Sequence, residues 1–364
     1  MTTSIFTTMT ALAERTGALN LGQGFPDSDG PELVREAAVT ALRDGHNQYA
    51  PLPGVPALRE AIADHQRRYY GYAPEDVQVT FGATEGLAAA LLALVGPGDE
   101  VAILDPSYDS YAPITELAGG TVARIGLEPP RWRVDDVTAI GPRTRILLLN
   151  TPHNPTGRVL DLGELRLLAD ACVEHDVIAL TDEVYEHLVY DGTHVPLATL
   201  PGMAERTLTV SSVGKTYSFT GWKTGWVSGP AELVGRVRAV KQFLTFAGGT
   251  PFQHAAAVAL GLPADDLAAR LSGKRDRLAA GLEAAGFDVL PSAGTYFLNA
   301  RLGDEDAEAV CLRLPEEAGV VAIPLSAFSD RATIRPWIRF AFCKQDALLD
   351  DAVERLTRWS ASCV

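Results

Sequence analysis

Thr207-Leu208-Thr209-Val210-Ser211-Ser212-Val213-Gly214-Lys215-Thr216-Tyr217-Ser218-Phe219-Thr220-Gly221-Trp222-Lys223 is the stretch on which the reading of the fold turns. Its first four residues are apolar or β-branched and predict a buried strand. Lys215 then falls just past the carboxyl end of that strand, among small and hydroxyl residues, and a second cation, Lys223, lies eight positions on. Open α/β sheets bind ligands at the carboxyl ends of their strands. A lysine placed there can form a Schiff base, its pKa lowered by burial or by a cationic neighbour. A lone lysine in a polar loop is more often a solvated surface group, so the choice rests on what the neighbouring stretches supply.

Working upstream, Val177-Ile178-Ala179-Leu180-Thr181-Asp182-Glu183-Val184-Tyr185 reads as a further strand that presents Asp182, with Tyr185 three residues later. An aspartate closing an apolar strand is either a helix cap or the partner of a buried cation. Thr144-Arg145-Ile146-Leu147-Leu148-Leu149 predicts a buried strand running into Asn150-Thr151-Pro152-His153-Asn154-Pro155-Thr156-Gly157, a loop stiffened by two prolines; His153 reads as structural. Glu100-Val101-Ala102-Ile103-Leu104 is a strand followed by Asp105-Pro106-Ser107-Tyr108-Asp109-Ser110-Tyr111, in which Tyr108 is either core packing or a ring that stacks on a flat ligand. Val77-Gln78-Val79-Thr80-Phe81 precedes Gly82-Ala83-Thr84-Glu85-Gly86 and an apolar helix from Leu87 to Val95. Strand, glycine turn and helix N-terminus can bind phosphate through free N–H groups and the helix dipole. The glycines match neither a dinucleotide fingerprint nor a Walker loop. Strands alternating with helices from Val77 to Lys215 predict a mostly parallel sheet covered on both faces, its polar residues gathered at one edge.

Toward the N-terminus lie a short helix, the irregular Asn20-Leu21-Gly22-Gln23-Gly24-Phe25-Pro26-Asp27, and amphipathic helices over Pro31–Arg43 and Leu58–Tyr70. Beyond Gly229 the chain is mostly helical to Ala285. It then mixes short strands (Phe287–Leu290, Thr295–Leu298, Trp337–Phe342) with helices such as Glu305–Leu314, the pattern of a smaller α+β domain. Arg339, between Ile338 and Phe340, is costly to bury unpaired. Its partner is either an internal Asp or Glu or a bound carboxylate. No internal repeat or low-complexity linker separates the domains.

With 364 residues, 47% hydrophobic and 21% charged, the chain suits a globular protein of two domains. Its net charge of -15 disfavours nucleic acid and anionic membranes as partners. Cys172, Cys311, Cys343 and Cys363 are scattered without a Cys-x-x-Cys pair, so neither a disulfide framework nor a metal is expected. Neither a signal peptide nor a membrane span is legible, and a cytoplasmic location is expected.

Taken together, these motifs, in this order, resemble the fold-type I, pyridoxal-phosphate-dependent aminotransferases of the class I/II group. The resemblance runs from Asn20–Asp27 to Trp337–Phe340. It is strongest to the branch holding kynurenine, glutamine and bacterial methionine aminotransferases and actinobacterial succinyldiaminopimelate aminotransferase-like proteins. It implies the α/β aspartate aminotransferase fold, with a seven-stranded, mostly parallel sheet in a large domain (31–250). A smaller α+β domain (251–364) and an N-terminal segment (1–30) packed against it complete that fold. It implies that Lys215 carries pyridoxal 5'-phosphate as a Schiff base and moves protons, that Asp182 pairs with the pyridine nitrogen, and that Asn154 and Tyr185 hydrogen-bond the phenolic oxygen. Tyr108 would stack on the ring. Ala83, Thr84, Ser212 and Lys223 would hold the phosphate, with Lys223 standing where many of the family have arginine. Tyr49 would reach the phosphate of the neighbouring subunit of a homodimer. Arg339 would grip the substrate α-carboxylate, helped by Asn154 and the Gly24 backbone, and Phe6 would line the side-chain pocket. Phe246-Ala247-Gly248-Gly249-Thr250 would face the neighbour's site and leave room for a longer substrate.

The implied activity is ping-pong transfer from a neutral, sulfur-containing or aromatic L-amino acid to a 2-oxo acid such as 2-oxoglutarate. N-succinyldiaminopimelate transamination and cysteine-conjugate β-elimination are the alternatives. No second arginine is placed for a dicarboxylic donor. A regulator of this fold would carry an added DNA-binding segment, and a nicotinamide enzyme would need the glycine fingerprint.

Overall fold

The structure, a computed structural model, describes residues 5–362; residues 1–4 of the expected N-terminal segment, and Cys363, lie outside the described residues. The chain opens with α1 (Ile5–Thr16) and a two-residue β1 (Leu19–Asn20), followed by α2 (Glu32–Arg43) and α3 (Pro56–Tyr70). Pro31 precedes α2 and Pro56 begins α3; a proline has its φ already set for a helix start and no N–H to leave unpaired. Strands and helices then alternate: β2 (Asp76–Phe81), α4 (Gly82–Leu94), β3 (Glu100–Asp105), α5 (Tyr111–Leu117), β4 (Thr121–Gly126), β5 (Thr144–Asn150), α6 (Leu162–Glu174), β6 (Ile178–Asp182), β7 (Thr207–Ser212), the short α7 (Val213–Thr216), β8 (Thr224–Gly229) and α8 (Ala231–Leu244).

These strands form one seven-stranded sheet of order β2-β8-β7-β6-β5-β3-β4. All run parallel except β8, which is antiparallel to both β2 and β7. Side chains alternate between faces. Val101, Ile103, Ile146 and Leu148 pack under α4 and α8, while Ala102, Leu104, Leu147 and Leu149 pack against α6 on the other side. Connections leave β3 toward β4 but leave β5 toward β6, so the direction reverses between β3 and β5, where open sheets form a crevice.

α9 (Thr250–Gly261) buries Ala255, Ala256, Ala259 and Leu260 in a cluster with α2, α3, β2 and Trp226 of β8. Beyond it come α10 (Asp265–Ala284), β9 (Asp288–Leu290), β10 (Phe297–Arg301), α11 (Ala307–Glu317), β11 (Val320–Val321), β12 (Ile323–Pro324), β13 (Ile338–Ala341) and α12 (Asp346–Ser362). β12-β13-β10-β9 form an antiparallel sheet, and β1 pairs with β11. The largest core cluster runs without a break from the main sheet into Phe297, Ile338, Phe340 and Leu356.

Three local expectations change. Helix α4 starts at Gly82 itself, not after a five-residue glycine turn, because the Glu85 carboxylate accepts the Phe81 N–H at 2.5 Å and caps the start. The strand expected to run from Val177 to Tyr185 spans only Ile178–Asp182, and Tyr185 lies in the turn that follows. The antiparallel β8 had no counterpart in the periodicity, since glycines occupy both Gly225 and Gly229.

Candidate active site

The carboxyl ends of β2, β3, β5, β6 and β7 share one edge with the amino end of the reversed β8, as the pairing of Phe81 with Thr224 shows. At that edge lies a cavity of about 350 Å³ whose lining includes Phe6, Gly24, Ala83, Thr84, Tyr108, Asn154, Asp182, Tyr185, Ser212, Lys215, Lys223 and Arg339. Every site residue expected from the sequence is therefore gathered there except Tyr49. That ring is 84% exposed on the outer surface and packs edge-on against Phe246 at 5.6 Å.

Lys215 sits on α7, whose first turn is capped by Ser212. Its Nζ donates to the Gly24 carbonyl at 3.2 Å and lies 5.9 Å from the ring centres of Tyr185 and Tyr296. Burial pushes the amine down to about 8, assisted by the positive charges of Lys223 and Arg339 and opposed by Cys343 and Asp182. Lys215 is half-buried and lines the cavity, so it is not a fully solvated surface group.

Asp182 closes β6 and is 5% exposed. Its Oδ2 accepts the Tyr111 hydroxyl at 2.8 Å and its Oδ1 the Val184 N–H at 3.4 Å. A turn follows it rather than a helix, so it caps no helix; the carboxyl faces the cavity. Burial raises it to about 6, against the Tyr111 hydrogen bond and the charge of Lys215. Asn150 locks the neighbouring strand ends together. Its Nδ2 donates to the Asp182 carbonyl and its Oδ1 accepts the Asn154 N–H, each at 2.7 Å. Nothing in the sequence singles out the roles of Tyr111 or Asn150, because their bonds to residue 182 span 71 and 32 positions.

At one end of the cavity lies the first turn of α4, whose N–H groups have no preceding helical turn to bond, beside Lys223. Gly82 has φ +76, and a Cβ on it would lie 3.2 Å from Lys223 Nζ. Across the sheet, a Cβ on Gly225 would come within 2.7–2.9 Å of Gly82, Ala83 and Ser211 backbone atoms. Only a glycine lets β8 lie this close to the helix start. Ser212 and Lys223 complete a donor set suited to an anion.

At the other end Arg339, 1% exposed in β13, donates to Asn154 Oδ1 at 2.8 Å and to the Gly22 carbonyl at 2.9 Å. Its Cζ stands 4.0, 4.9 and 5.3 Å from the ring centres of Phe297, Phe328 and Phe6. These hydrogen-bond partners are neutral, and Nε has none among the described residues. Burial lowers the guanidinium to about 10. An arginine held this dry, with a donor to spare, suits a carboxylate ligand. Asn299, opposite Arg339 in the β10–β13 register, donates to the Pro155 and Thr156 carbonyls and ties the Asn154 loop to the smaller sheet. Gly24 must stay small, since a Cβ there would lie 2.6 Å from the Phe297 ring. His153 is buried against Thr156, its imidazole pushed down to about 3, and acts structurally as read.

An amine of lowered pKa, a carboxylate facing it across the cavity, an anion cradle at one end and an unsatisfied arginine at the other make a site for amine–carbonyl exchange on an anionic substrate. The family model for aminotransferase class I and II matches residues 16–356, and the chain belongs to that family. A probable N-succinyldiaminopimelate aminotransferase of Mycobacterium tuberculosis is 50% identical over 98% of this chain and 96% of its own. The Escherichia coli methionine aminotransferase is 44% identical over 97% and 95%. The solved structure of N-succinyldiaminopimelate aminotransferase from Mycobacterium tuberculosis superposes with a TM-score of 0.95 at 49% identity, covering 98% of this chain and 97% of that one. The chain is an aminotransferase with the aspartate aminotransferase fold.

Proposed function

We propose that this aminotransferase uses pyridoxal 5'-phosphate to move the amino group of a neutral, sulfur-containing or aromatic L-amino acid to a 2-oxo acid such as 2-oxoglutarate, by a ping-pong mechanism. The supporting observation is the convergence of Lys215, Asp182 and Arg339 on one cavity with an anion cradle at its end. When bound, the cofactor supplies an aldehyde for exchange with amines and a protonated ring that draws electrons from the substrate α-carbon.

The residues present fit that group. The first turn of α4 at Ala83 and Thr84, with Ser212 and Lys223, holds the phosphate. Asp182 pairs with the ring nitrogen and Tyr108 covers the ring. Asn154 has its Oδ1 committed to Arg339, which leaves its amide N–H₂ for the phenolic oxygen beside the Tyr185 hydroxyl. Lys215 would hold the aldehyde, and its amine would move a proton to and from the substrate α-carbon. Arg339 holds the α-carboxylate, with the backbone near Gly24 and Asn154 beside it, and Phe6 borders the side-chain space. Tyr49 serves the neighbouring site of a homodimer, its exposed ring next to the 246–250 loop supporting that placement.

A cytoplasmic setting belongs to the same reading, which rests on the free, buried thiols of Cys172, Cys311 and Cys343. No described helix is long and apolar enough to cross a membrane. N-succinyldiaminopimelate is the second donor to consider, on the strength of the 50% identity above. The charged residues lining the cavity are Asp182, Lys215, Lys223 and Arg339, all engaged in the roles just given, so a distal carboxylate would need its cation from the partner. A panel of amino donors, read by loss of the cofactor's Schiff-base absorption, tests the reading. Neutral, sulfur and aromatic donors should bleach it fastest; an enzyme that bleaches with none of these would refute the proposal.

Asp182 also sets a pH dependence. Burial pushes its carboxyl up to about 6, so it is half-ionised near that pH and its charge is lost as the pH falls through it. Cofactor affinity of the apoprotein should therefore decline below about pH 6. The Tyr111 hydrogen bond lowers this pKa, so Tyr111→Phe should move the decline to higher pH, and Asp182→Asn should bind weakly at every pH. Fluorescence titration of the apoproteins across pH 5–8 checks all three; a Tyr111→Phe curve displaced to lower pH would count against the assignment.

A further inference from the structure

We propose that His65, Glu186 and His187 form a binding site for one divalent transition-metal ion of the zinc class, which clamps α3 to the turn after β6. His65 comes from α3 and the other two from the turn that also carries Tyr185. None of the three lines the cavity described above. His65 is 1% and Glu186 8% exposed, and His187 is half-buried. The Nε2 atoms of the two histidines stand 2.7 Å apart, and one donor atom from each of the three residues lies within 4.8 Å of the other two.

Two imidazole nitrogens and one carboxylate oxygen are the donor set that zinc and its neighbours prefer. Bonds of about 2.0–2.2 Å to a tetrahedral ion put donors about 3.3 Å apart. The histidine pair need open by less than an ångström to admit the ion. At that separation one Nε2 donates its hydrogen to the other.

The carboxylate is already oriented, as ligating carboxylates are. Tyr70 donates to Glu186 Oε2 at 2.7 Å and Ser211 to Oε1 at 2.9 Å, and each oxygen keeps a further lone pair. The Tyr69 ring packs 4.8 Å from His65 and 4.6 Å from His187, which fixes both imidazoles. The half-buried His187 side leaves the fourth position open to water. Glu186 follows Tyr185 and Ser211 precedes Ser212, so an ion here braces two of the strand exits that build the active site.

The test uses the whole holoenzyme, freed of metal by a chelator and titrated with Zn²⁺, and with Co²⁺ for its visible spectrum. One equivalent should bind, with the ligand-field absorption of low-coordinate cobalt. Saturation should raise the thermal midpoint by about 3 °C. His65→Ala and His187→Ala should weaken binding at least about 100-fold, and Tyr70→Phe by roughly 10–100-fold. If His65→Ala fails to fold, the half-buried His187→Ala decides the matter, with retained yellow colour as the folding control. A second pair, His46 and His254, stacks at the surface with ring centres 4.0 Å apart and is the competing site. His254→Ala should leave the stoichiometry unchanged. No saturable binding, or binding lost in His254→Ala and kept in His187→Ala, overturns the proposal.

Discussion

Replacing Lys215 by alanine should cut turnover by at least about 10⁴-fold, the upper range for loss of a positioned acid–base group. The reason lies in where the amine is held. An ordinary lysine at 10.5 is unprotonated about once in 300 at pH 8, whereas an amine at about 8 is half unprotonated there. The lowered pKa therefore raises the unprotonated fraction by about two orders of magnitude, which is what the proposed proton-transfer role requires. The proton-transfer step should also slow as the pH drops below about 8, because the amine then holds its proton. The variant should keep its fold and bind the cofactor without a covalent bond, and added methylamine should restore part of the rate. Single-turnover bleaching measures this; a variant within tenfold of the parent would place the base elsewhere.

Arg339→Ala should lower kcat/KM by between about 30-fold and several thousand-fold, the 2–5 kcal/mol typical of removing one partner of a buried charge pair. Arg339 directs its NH1 and NH2 to Asn154 and Gly22, and its Nε has no partner among the described residues, so a donor remains for the proposed carboxylate. Arg339→Lys should recover little, since an ammonium offers a point charge in place of a fork. The specific readout is a pair of donors with and without the α-carboxylate. The parent should prefer the carboxylate strongly, and the alanine variant should treat the two nearly alike. An unchanged preference would mean that another group holds the anion.

Much of this site could be read before any coordinates, and the reason is local. Lys215, Asp182 and Asn154 each follow an apolar run that can only be a buried strand, and strand exits converge on one edge of a parallel sheet. What stayed illegible depends on distance along the chain. Tyr111 bonds Asp182 across 71 positions, Asn299 reaches the loop at Pro155 across 144, and His65 meets His187 across 122. No periodicity reports such pairs. Arg339 shows the intermediate case: its burial is legible from Ile338 and Phe340, whereas Asn154 at its side follows only from the family resemblance and not from the local pattern. The reversed β8 was hidden for another reason. Gly225 is there because the start of α4 lies against it, and a strand chosen for close approach carries little strand propensity.

The Leu21–Gly24 segment carries a final implication for how the molecule is made. Its carbonyls accept from the Ala341 N–H at 2.7 Å and from Arg339, 317 positions downstream, and the preceding β1 pairs with β11. On the ribosome these residues emerge more than 300 positions before their partners in β13, and Leu21 lacks those contacts until β13 has been made. Contacts of such long span form late and leave apolar surface open meanwhile. A nascent chain released short of β13 would have the seven-stranded sheet but would lack Arg339 and the contacts that hold this wall of the cavity.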